Sequence, residues 1–279
     1  MPTTANGAVS LYYESFGADA DPTLLLVNGL GSQCINFKQE FCELFAARGF
    51  RVVRFDNRDV GLSSHLKGGP RYTVDDMAGD GFAVLDAVGA RTAHIAGWSM
   101  GGMIVQAMAL QHPDRVLSLT SVMSAPGAIP GERDPDVLAA FTAPPAQTRE
   151  EAAQRHLAGL RAWGSPAFFD PERITADSNA AYDRVWDPGG RSRQAMAVGA
   201  SPSRVEALGA LKVPTLVVHG DADRLVSLEG GRATAAAVPG ARLEIVEGMG
   251  HDYPPQLWGR MVDLITTHAS AVGGPNRGG

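Results

Sequence analysis

The first 125 residues alternate short apolar runs with segments whose apolar residues recur at helical spacing. The runs at residues 24–27, 52–55 and 92–96 are short and mostly apolar, which is typical of buried strands. A further strand is predicted at 116–123. The segments with helical spacing are 35–48, 74–88 and 100–111. This alternation predicts an α/β fold with a mostly parallel, doubly wound sheet.

The pattern changes after Ala125 and becomes regular again near residue 205. Prolines are frequent from 126 to 145, where they interrupt any long element, and several aromatic residues follow. Beyond this stretch, strands are predicted at 215–219 and 241–246, and helices at 228–238 and 256–271. The domains we expect are a core formed by 1–125 and 205–271, an inserted cap subdomain at 126–204, and a flexible tail at 272–279.

Composition and charge narrow the classes of function. Hydrophobic residues make up 44% of the chain and charged residues 19%, which is ordinary for a globular protein. The net charge is -6 and no long basic run occurs, so a nucleic-acid partner and an anionic membrane surface are disfavoured. No apolar run approaches the roughly 18 residues of a membrane span. We expect a small-molecule partner, and the sequence leaves a homo-oligomer open.

The two cysteines bear on the cellular compartment. Cys34 and Cys42 fall in a stretch that is predicted to be helical, where eight residues separate them by about 12 Å. A disulfide cannot close that distance. Two free thiols, together with an N-terminus that has no basic and apolar signal, predict a cytoplasmic protein.

A short glycine-containing motif supplies a candidate nucleophile. Gly97-Trp98-Ser99-Met100-Gly101 follows the strand predicted at 92–96 and begins the helical pattern at 100–111. A sharp turn from strand to helix holds the serine in a strained conformation, and larger side chains two positions away would collide. The helix also directs its first N–H groups at this place, where they can stabilise an oxyanion. The motif predicts Ser99 as the nucleophile.

A serine nucleophile needs a base, which at this type of turn comes late in the chain, after the acid. His251 ends the run Gly248-Met249-Gly250-His251, between the last predicted strand and the last predicted helix. Ligands bind at the carboxyl ends of the strands in open α/β sheets, and this loop lies there. We therefore expect His251 to be the base. Surface or packing roles are expected for the remaining candidates, His65, His94, His112, His156 and His268.

Asp221 and Asp223 are the candidates for the acid, since both follow the first strand after the cap. Asp223 is predicted because its spacing from Gly220 lets the side chain turn away from the strand end and reach Nδ1–H of His251. Asp221 is expected to hold the turn through side-chain-to-backbone hydrogen bonds. Asp252 would have to fold back on its neighbour, and we expect no catalytic role for it.

The second oxyanion donor is expected in the loop Asn28-Gly29-Leu30-Gly31, which follows the first predicted strand. The predicted donors are the backbone N–H groups of Leu30 and Met100. Glycines on both sides of Leu30 let the backbone approach a substrate. A dinucleotide-binding interpretation of this loop fails because Cys34 stands where a third small residue is needed.

Four residues at the predicted strand ends are expected to bind substrate: Gly29, Trp98, Met123 and Met249. Flexible thioethers suit an irregular ligand. His219, Asp221 and Asp223 could share one face of an extended run as metal ligands, but no second cluster with metal-ligand spacing accompanies them. We expect no metal and no cofactor.

With these motifs in this order, the chain resembles the α/β-hydrolase superfamily over nearly its whole length. The segment Asp56-Asn57-Arg58-Asp59-Val60-Gly61-Leu62-Ser63 and the run that ends at His251 are similar to those of esterases related to aclacinomycin methylesterase. Asn28 replaces the histidine that is usual before the oxyanion glycine, and Asp59 replaces a usual glycine. The segment at 56–63 is expected to be structural, with Arg58 or Asp59 tying loops together.

The resemblance implies the α/β-hydrolase fold with an inserted helical cap, and hydrolysis of carboxylic esters. The expected activity is cleavage of small to medium apolar esters through an acyl-enzyme on Ser99, with a Ser-His-Asp catalytic triad. Lactonase or perhydrolase activity would use the same triad, and a ligand-binding receptor on this scaffold or a carbon–carbon bond hydrolase also remains open. Epoxide hydrolases and haloalkane dehalogenases of this fold use an aspartate nucleophile, so the serine disfavours both.

Overall fold

The computed structural model describes residues 1–69, 71–127 and 134–272. Its centre is one eight-stranded sheet in the order β1-β2-β4-β3-β5-β6-β7-β8. The strands are β1 (Thr3–Asn6), β2 (Val9–Phe16), β3 (Thr23–Val27), β4 (Arg51–Phe55), β5 (Ala93–Trp98), β6 (Val116–Val122), β7 (Thr215–Gly220) and β8 (Arg242–Val246). β1 and β2 pair antiparallel at one edge, and all pairs from β4 to β8 are parallel. The predicted mostly parallel α/β sheet is confirmed.

Ten α-helices occur in the described ranges. They are α1 (Gln39–Ala46), α2 (Val74–Ala87), α3 (Met100–Gln111), α4 (Pro135–Thr142), α5 (Arg149–Trp163), α6 (Pro171–Arg184), α7 (Gly190–Ala200), α8 (Val205–Leu208), α9 (Leu228–Ala237) and α10 (Pro255–Ala271). None of them is long and apolar enough to cross a lipid bilayer.

The central strands β3, β5 and β7 are buried on both faces because helices cover both sides of the sheet. Alternate side chains of a strand point to opposite faces, and β3 shows the result. Leu25 packs in one hydrophobic cluster with residues of α2 and α3, such as Met108. Leu24 packs in a second cluster with residues of α1 and α10, such as Phe41 and Ile265. The predicted doubly wound arrangement follows from these two cores.

The helix predicted at 35–48 is wrong in its first part. A 3-10 turn, Cys34–Asn36, is followed by an extended Lys38 before α1 begins. The carbonyl oxygen of Phe37 accepts a hydrogen bond from Arg54, and its ring packs 4.8 Å from the Trp98 ring, centroid to centroid. These long-range contacts hold the backbone out of the helical conformation.

Cys34 and Cys42 are therefore not on one helix, although both are free and buried. Burial raises the pKa of both thiols, and that of Cys42 reaches about 12. Each thiol consequently stays protonated over the ordinary pH range.

Helices α4 to α7 lie between β6 and β7 in sequence, where the cap is predicted. α5 packs against both α4 and α6. α4 and α6 each begin at a proline and are not interrupted by one. α5 is 15 residues long and α6 is 14 residues long. The division into core and cap stays a prediction. Residues 128–133 of the predicted cap and 273–279 of the predicted tail lie outside the described residues.

Candidate active site

Ser99 lies at the turn between β5 and α3 in a strained backbone conformation. Its φ is 55° and its ψ is -120°, a region that non-glycine residues rarely adopt. Its N–H donates to the carbonyl of Val122 at 2.9 Å, and its own carbonyl accepts from the hydroxyl of Ser124 at 2.7 Å. These bonds to the end of β6 hold the turn, which leaves the Ser99 side chain partly exposed.

The glycines on either side of this turn are required by close backbone contacts. A Cβ atom at Gly97 would lie 2.1 Å from the carbonyl oxygen of Gly101. A Cβ atom at Gly101 would lie 2.1 Å from the carbonyl oxygen of Val27, in β3. The steric reason predicted for the motif is therefore present in the fold.

The structure brings Ser99, His251 and Asp223 together, although they come from three separate loops. Nε2 of His251 lies 2.8 Å from Oγ of Ser99, and Nδ1 lies 2.7 Å from Oδ2 of Asp223. Asp223 is buried, whereas Ser99 and His251 are partly exposed. Such a chain of hydrogen bonds can move a proton from a serine hydroxyl to an imidazole that a buried carboxylate orients.

The Asp223 carboxylate is held by both of its oxygens. Oδ1 accepts the N–H groups of Leu225 and Val226, each at 2.9 Å, while Oδ2 faces His251 and lies 3.5 Å from Nε2 of His219. Burial alone would raise the pKa of Asp223, but the charge of His251 and the bonds from both imidazoles outweigh it, so the pKa is lowered. The carboxylate is thus kept ionised beside the imidazole.

Asp221 has a role different from the predicted one. Its Oδ1 accepts the N–H of Gly248 at 2.7 Å, which ties the end of β7 to the loop that leads to His251. The expectation that Asp221 holds the turn after β7 is wrong. Within that turn it is the Asp223 side chain that accepts a backbone N–H, from Leu225. With its carboxylate committed to Gly248, Asp221 does not approach the imidazole.

Asp252 makes no bond to the imidazole, as expected, and is bonded to Ser165 beyond the end of α5. Its Oδ1 accepts the Ser165 N–H at 2.9 Å and the Ser165 hydroxyl. The same hydroxyl accepts the N–H of Gly250 at 2.9 Å. Burial raises the pKa of Asp252. The sequence pattern did not predict Ser165, because its partner lies 87 residues further along the chain.

The predicted oxyanion loop lies against the nucleophile. A Cβ atom at Gly29 would lie 3.3 Å from Cβ of Ser99, and the Gly29 N–H donates to the side chain of Asn28 at 2.9 Å. Among the residues that the structure describes, no acceptor is bonded to the N–H of Leu30 or of Met100. The Met100 N–H next to Ser99 and the Leu30 N–H next to Gly29 therefore have no protein acceptor in the described part of the chain, and their role as oxyanion donors stays a prediction.

The residues predicted to bind substrate differ in exposure. Trp98, Met123 and Met249 are at most 3% exposed and belong to one hydrophobic cluster, in which Trp98 packs against the Phe41 ring of α1. Gly29 adjoins Ser99 directly. The three larger side chains are covered by protein in this structure, so substrate contact through them would require neighbouring groups to move, and it stays a prediction.

The segment at 56–63 is structural, as expected. Arg58 pairs with the buried Asp80, with Nε 2.6 Å from Oδ2. Asp59 accepts the N–H of Leu66 at 2.6 Å and the hydroxyl of Tyr72 at 2.7 Å. Its φ is 71°, in the left-handed region that favours glycine, which agrees with the glycine usual at this position. Asp59 therefore has a strained backbone conformation, and its side chain joins two loops.

One group of side chains could in principle share a metal ion. Within the described residues, ligand atoms of Asp59, His65 and Asp187 lie within 4.8 Å of one another. Arg193 donates to Asp59 at 2.8 Å and also to Asp187. Burial would raise the pKa of Asp187, but bonds from Arg193 and His65 lower it to about 2. The positive charge beside the two carboxylates is therefore the Arg193 guanidinium, and the three side chains belong to an ion-pair cluster.

Comparison with known proteins agrees with the fold described above. The family profile described as the alpha/beta hydrolase fold matches residues 22–253. Rhodomycin D methylesterase DnrP from Streptomyces peucetius is 30% identical over 98% of this chain and 99% of its own length.

Two solved structures share the fold at 24% identity, which supports the fold alone. The esterase RhEst1 from Rhodococcus sp. ECU1013 superposes with a TM-score of 0.80 and covers 97% of this chain and 98% of its own. The enol-lactonase from Burkholderia xenovorans LB400 has a TM-score of 0.79, with 96% and 100% covered. By its profile match, its near full-length similarity to a methylesterase and its sheet, this chain belongs to the α/β-hydrolase fold family.

Proposed function

We propose that this protein is a serine hydrolase that cleaves carboxylic esters through an acyl-enzyme on Ser99. The observation that carries the proposal is the continuous chain of two hydrogen bonds, 2.8 and 2.7 Å long, from Ser99 through His251 to Asp223. Similarity to a methylesterase over nearly the full length supports an ester as the substrate.

In the acylation step, Nε2 of His251 accepts the hydroxyl proton of Ser99, and Oγ bonds to the ester carbonyl carbon. The carbonyl π electrons move to oxygen, where the N–H groups of Leu30 and Met100 stabilise the charge. Each such donor typically contributes about 10²–10³-fold in kcat. The bond to the alcohol oxygen then breaks, and the alcohol leaves with the proton from His251.

In the deacylation step, His251 accepts a proton from water, and the hydroxide oxygen bonds to the acyl carbon. Collapse of the second tetrahedral intermediate breaks the bond to Oγ of Ser99, which recovers its proton from the imidazole. Asp223 keeps the Nδ1–H tautomer in place throughout. The sum is ester and water converted to acid and alcohol.

The proposed substrates are small to medium apolar esters, with residues 126–204 acting as a cap over the site. Similarity to rhodomycin D methylesterase supports a methyl ester, in which methanol is the leaving alcohol. Its near full-length coverage includes the helices of the proposed cap, so the comparison extends beyond the core.

The proposal is tested by labelling and by turnover. A fluorophosphonate probe should attach to Ser99 in the wild-type protein, as peptide mass spectrometry would show, and should not attach in Ser99→Ala or His251→Ala. A panel of p-nitrophenyl esters of rising acyl length, methyl esters of bulky acids, and lactones then defines the preference. The matched control is Ser270→Ala, an exposed serine of α10.

Full activity in Ser99→Ala would refute the nucleophile. A wild-type protein that is folded but neither labelled nor active would favour a ligand-binding receptor over an enzyme. A marked preference for lactones over open esters would replace the ester assignment with a lactonase while retaining the same triad.

A further inference from the structure

Gln194, on α7, is wholly buried and joins two loops of the core. Its Oε1 accepts the N–H of Gly31 at 2.7 Å, and its Nε2 donates to the carbonyl of Arg58 at 2.7 Å. The two ends of one planar amide thus bind backbone groups from the loop after β3 and the loop after β4. A buried amide with both ends bonded has one fixed orientation.

The bond to Gly31 restrains the residue next to the proposed oxyanion donor, Leu30. Gly31 follows Leu30 and has a φ of 73°, and carbons of Arg191 on α7 lie 3.1–3.3 Å from where a Cβ atom at Gly31 would be. The peptide unit between Leu30 and Gly31 is planar, so a bond to the Gly31 N–H fixes the orientation of the whole unit. Only the φ and ψ torsions of Leu30 can then change the direction of the Leu30 N–H. Asn28 holds the loop on the other side by accepting the Gly29 N–H.

The position of α7 is in turn fixed by the core. Gly190, its first residue, packs so closely that a Cβ atom would lie 2.0 Å from the carbonyl oxygen of Asp59. Arg193 bonds to the carboxylate of Asp59 at 2.8 Å. A second glutamine reinforces the contact: Gln33 donates to the carbonyl oxygens of Ala181 and Val185, at the end of α6, at 2.7 and 2.9 Å. The loop after β3 is therefore held by two helices of the proposed cap.

We infer that Gln194 is a positioning residue, which aims the Leu30 N–H at the oxyanion by holding Gly31 in place. The inference rests on the proposed function and adds a group that never touches the substrate. It also gives the proposed cap a part in catalysis, because the loop after β3 depends on α7 for its geometry.

The test compares two substitutions at this position with Met196→Ala, an exposed control on the same helix. Gln194→Leu removes both bonds, so kcat should fall about ten- to hundredfold, a part of the roughly 10²–10³-fold effect of a lost oxyanion donor. KM should change little, since the contact matters in the transition state. Affinity for a trifluoromethyl ketone that forms the same oxyanion on Ser99 should fall by the same factor as kcat/KM.

Gln194→Glu gives a signature that a merely structural role would not produce. An ionised carboxylate keeps the acceptor for Gly31 but loses the donor to the Arg58 carbonyl, and a protonated carboxyl restores it. The ratio of variant to wild-type kcat should therefore rise as the pH is lowered. In the wild-type protein, hydrogen–deuterium exchange at the Gly31 amide should be slow, because its acceptor is buried.

A rise in KM at unchanged kcat, or full activity in a folded Gln194→Leu protein, would overturn the inference. Rapid exchange at Gly31 in the wild-type protein would do the same even if neither variant folds. These results differ from failure of the proposed function, in which the wild-type protein itself would be inactive and unlabelled at Ser99.

Discussion

The backbone N–H of His251 donates to the carbonyl oxygen of Trp163, 2.6 Å away, and Trp163 is the last residue of α5. The chains are so close here that a Cβ atom at Gly250 would lie 2.2 Å from the carbonyl carbon of Gly164. The loop that carries the proposed base is thus bonded to α5, just as the loop after β3 is bonded to α6 and α7. Both loops depend on helices of the proposed cap.

Ser165→Ala tests the contact at the base. The substitution leaves the buried Gly250 N–H without its acceptor and removes the hydroxyl bond to Asp252. An unsatisfied buried donor costs about 1–3 kcal/mol, so the free energy of unfolding should fall by that amount. Because Gly250 precedes His251, kcat should also fall several-fold. Denaturant unfolding and steady-state kinetics would measure both, and a result equal to that of Ser270→Ala would contradict the prediction.

Asp223→Asn should reduce kcat by about 10⁴-fold, as the loss of the carboxylate does in a serine protease triad. The amide no longer stabilises the imidazolium or fixes the Nδ1–H tautomer of His251. Asp221→Asn is a matched control, since its side-chain oxygen can still accept the Gly248 N–H. The control should retain its activity. Equal losses in both variants, measured as kcat with the best ester of the panel, would show that Asp223 is not the acid.

Two glycines on helices should respond to alanine in opposite ways. Gly101→Ala forces a Cβ atom to 2.1 Å from the carbonyl of Val27, and should cost about 3 kcal/mol or more of stability. Gly259→Ala, at an exposed position in the second turn of α10, meets nothing within 4 Å and should stabilise the fold by roughly 0.5–1 kcal/mol. Thermal unfolding of both proteins would check the signs, and a stable Gly101→Ala protein would contradict the packing around Ser99.

Stability should decline between about pH 6.5 and pH 4 because of buried histidines. His94 is 2% exposed and bonded to Ser118, and burial, with the charge of His268, lowers its pKa to about 4. The unfolded chain binds a proton in this window and the folded protein does not, so the free energy of unfolding falls as the pH falls. The loss is on the order of 3 kcal/mol. His156 and His268, whose pKa values are also lowered, act in the same direction.

His94→Gln should flatten this pH dependence. Chemical denaturation of both proteins at a series of pH values would measure the difference, with substitution of the exposed His112 as the control. An unchanged slope in the His94 variant would show that this side chain takes up its proton normally in the folded state.

Local patterns were sufficient for much of this fold. The strands predicted from apolar runs agree with β3 to β8 within two residues at each end, because β3 to β7 are largely buried and all six strands are rich in apolar and β-branched residues. β1 and β2 were not predicted. β1 alternates exposed and half-buried residues at the edge of the sheet, and β2 is positioned by antiparallel pairing with the distant β4. Neither leaves a strong periodic signal.

Local patterns likewise predicted some residues of the candidate site and not others. Ser99, Asp223 and His251 follow strands or precede helices with recognisable turn residues, so their approach could be expected from sequence. The contacts of Gln194 and Ser165 could not, because each joins segments more than 80 residues apart whose packing no local pattern specifies. The arrangement of the helices between β6 and β7 could not be predicted from the sequence.

The burial of Cys34 and Cys42 makes this chain well suited to spectroscopy. Both thiols are inaccessible and protonated at neutral pH, and the sequence contains no other cysteine. A maleimide dye would therefore react selectively with a single cysteine introduced on the surface. A pair of such positions, one on α5 of the proposed cap and one on α10 of the core, would report by energy transfer whether α5 moves relative to α10 when an ester is added.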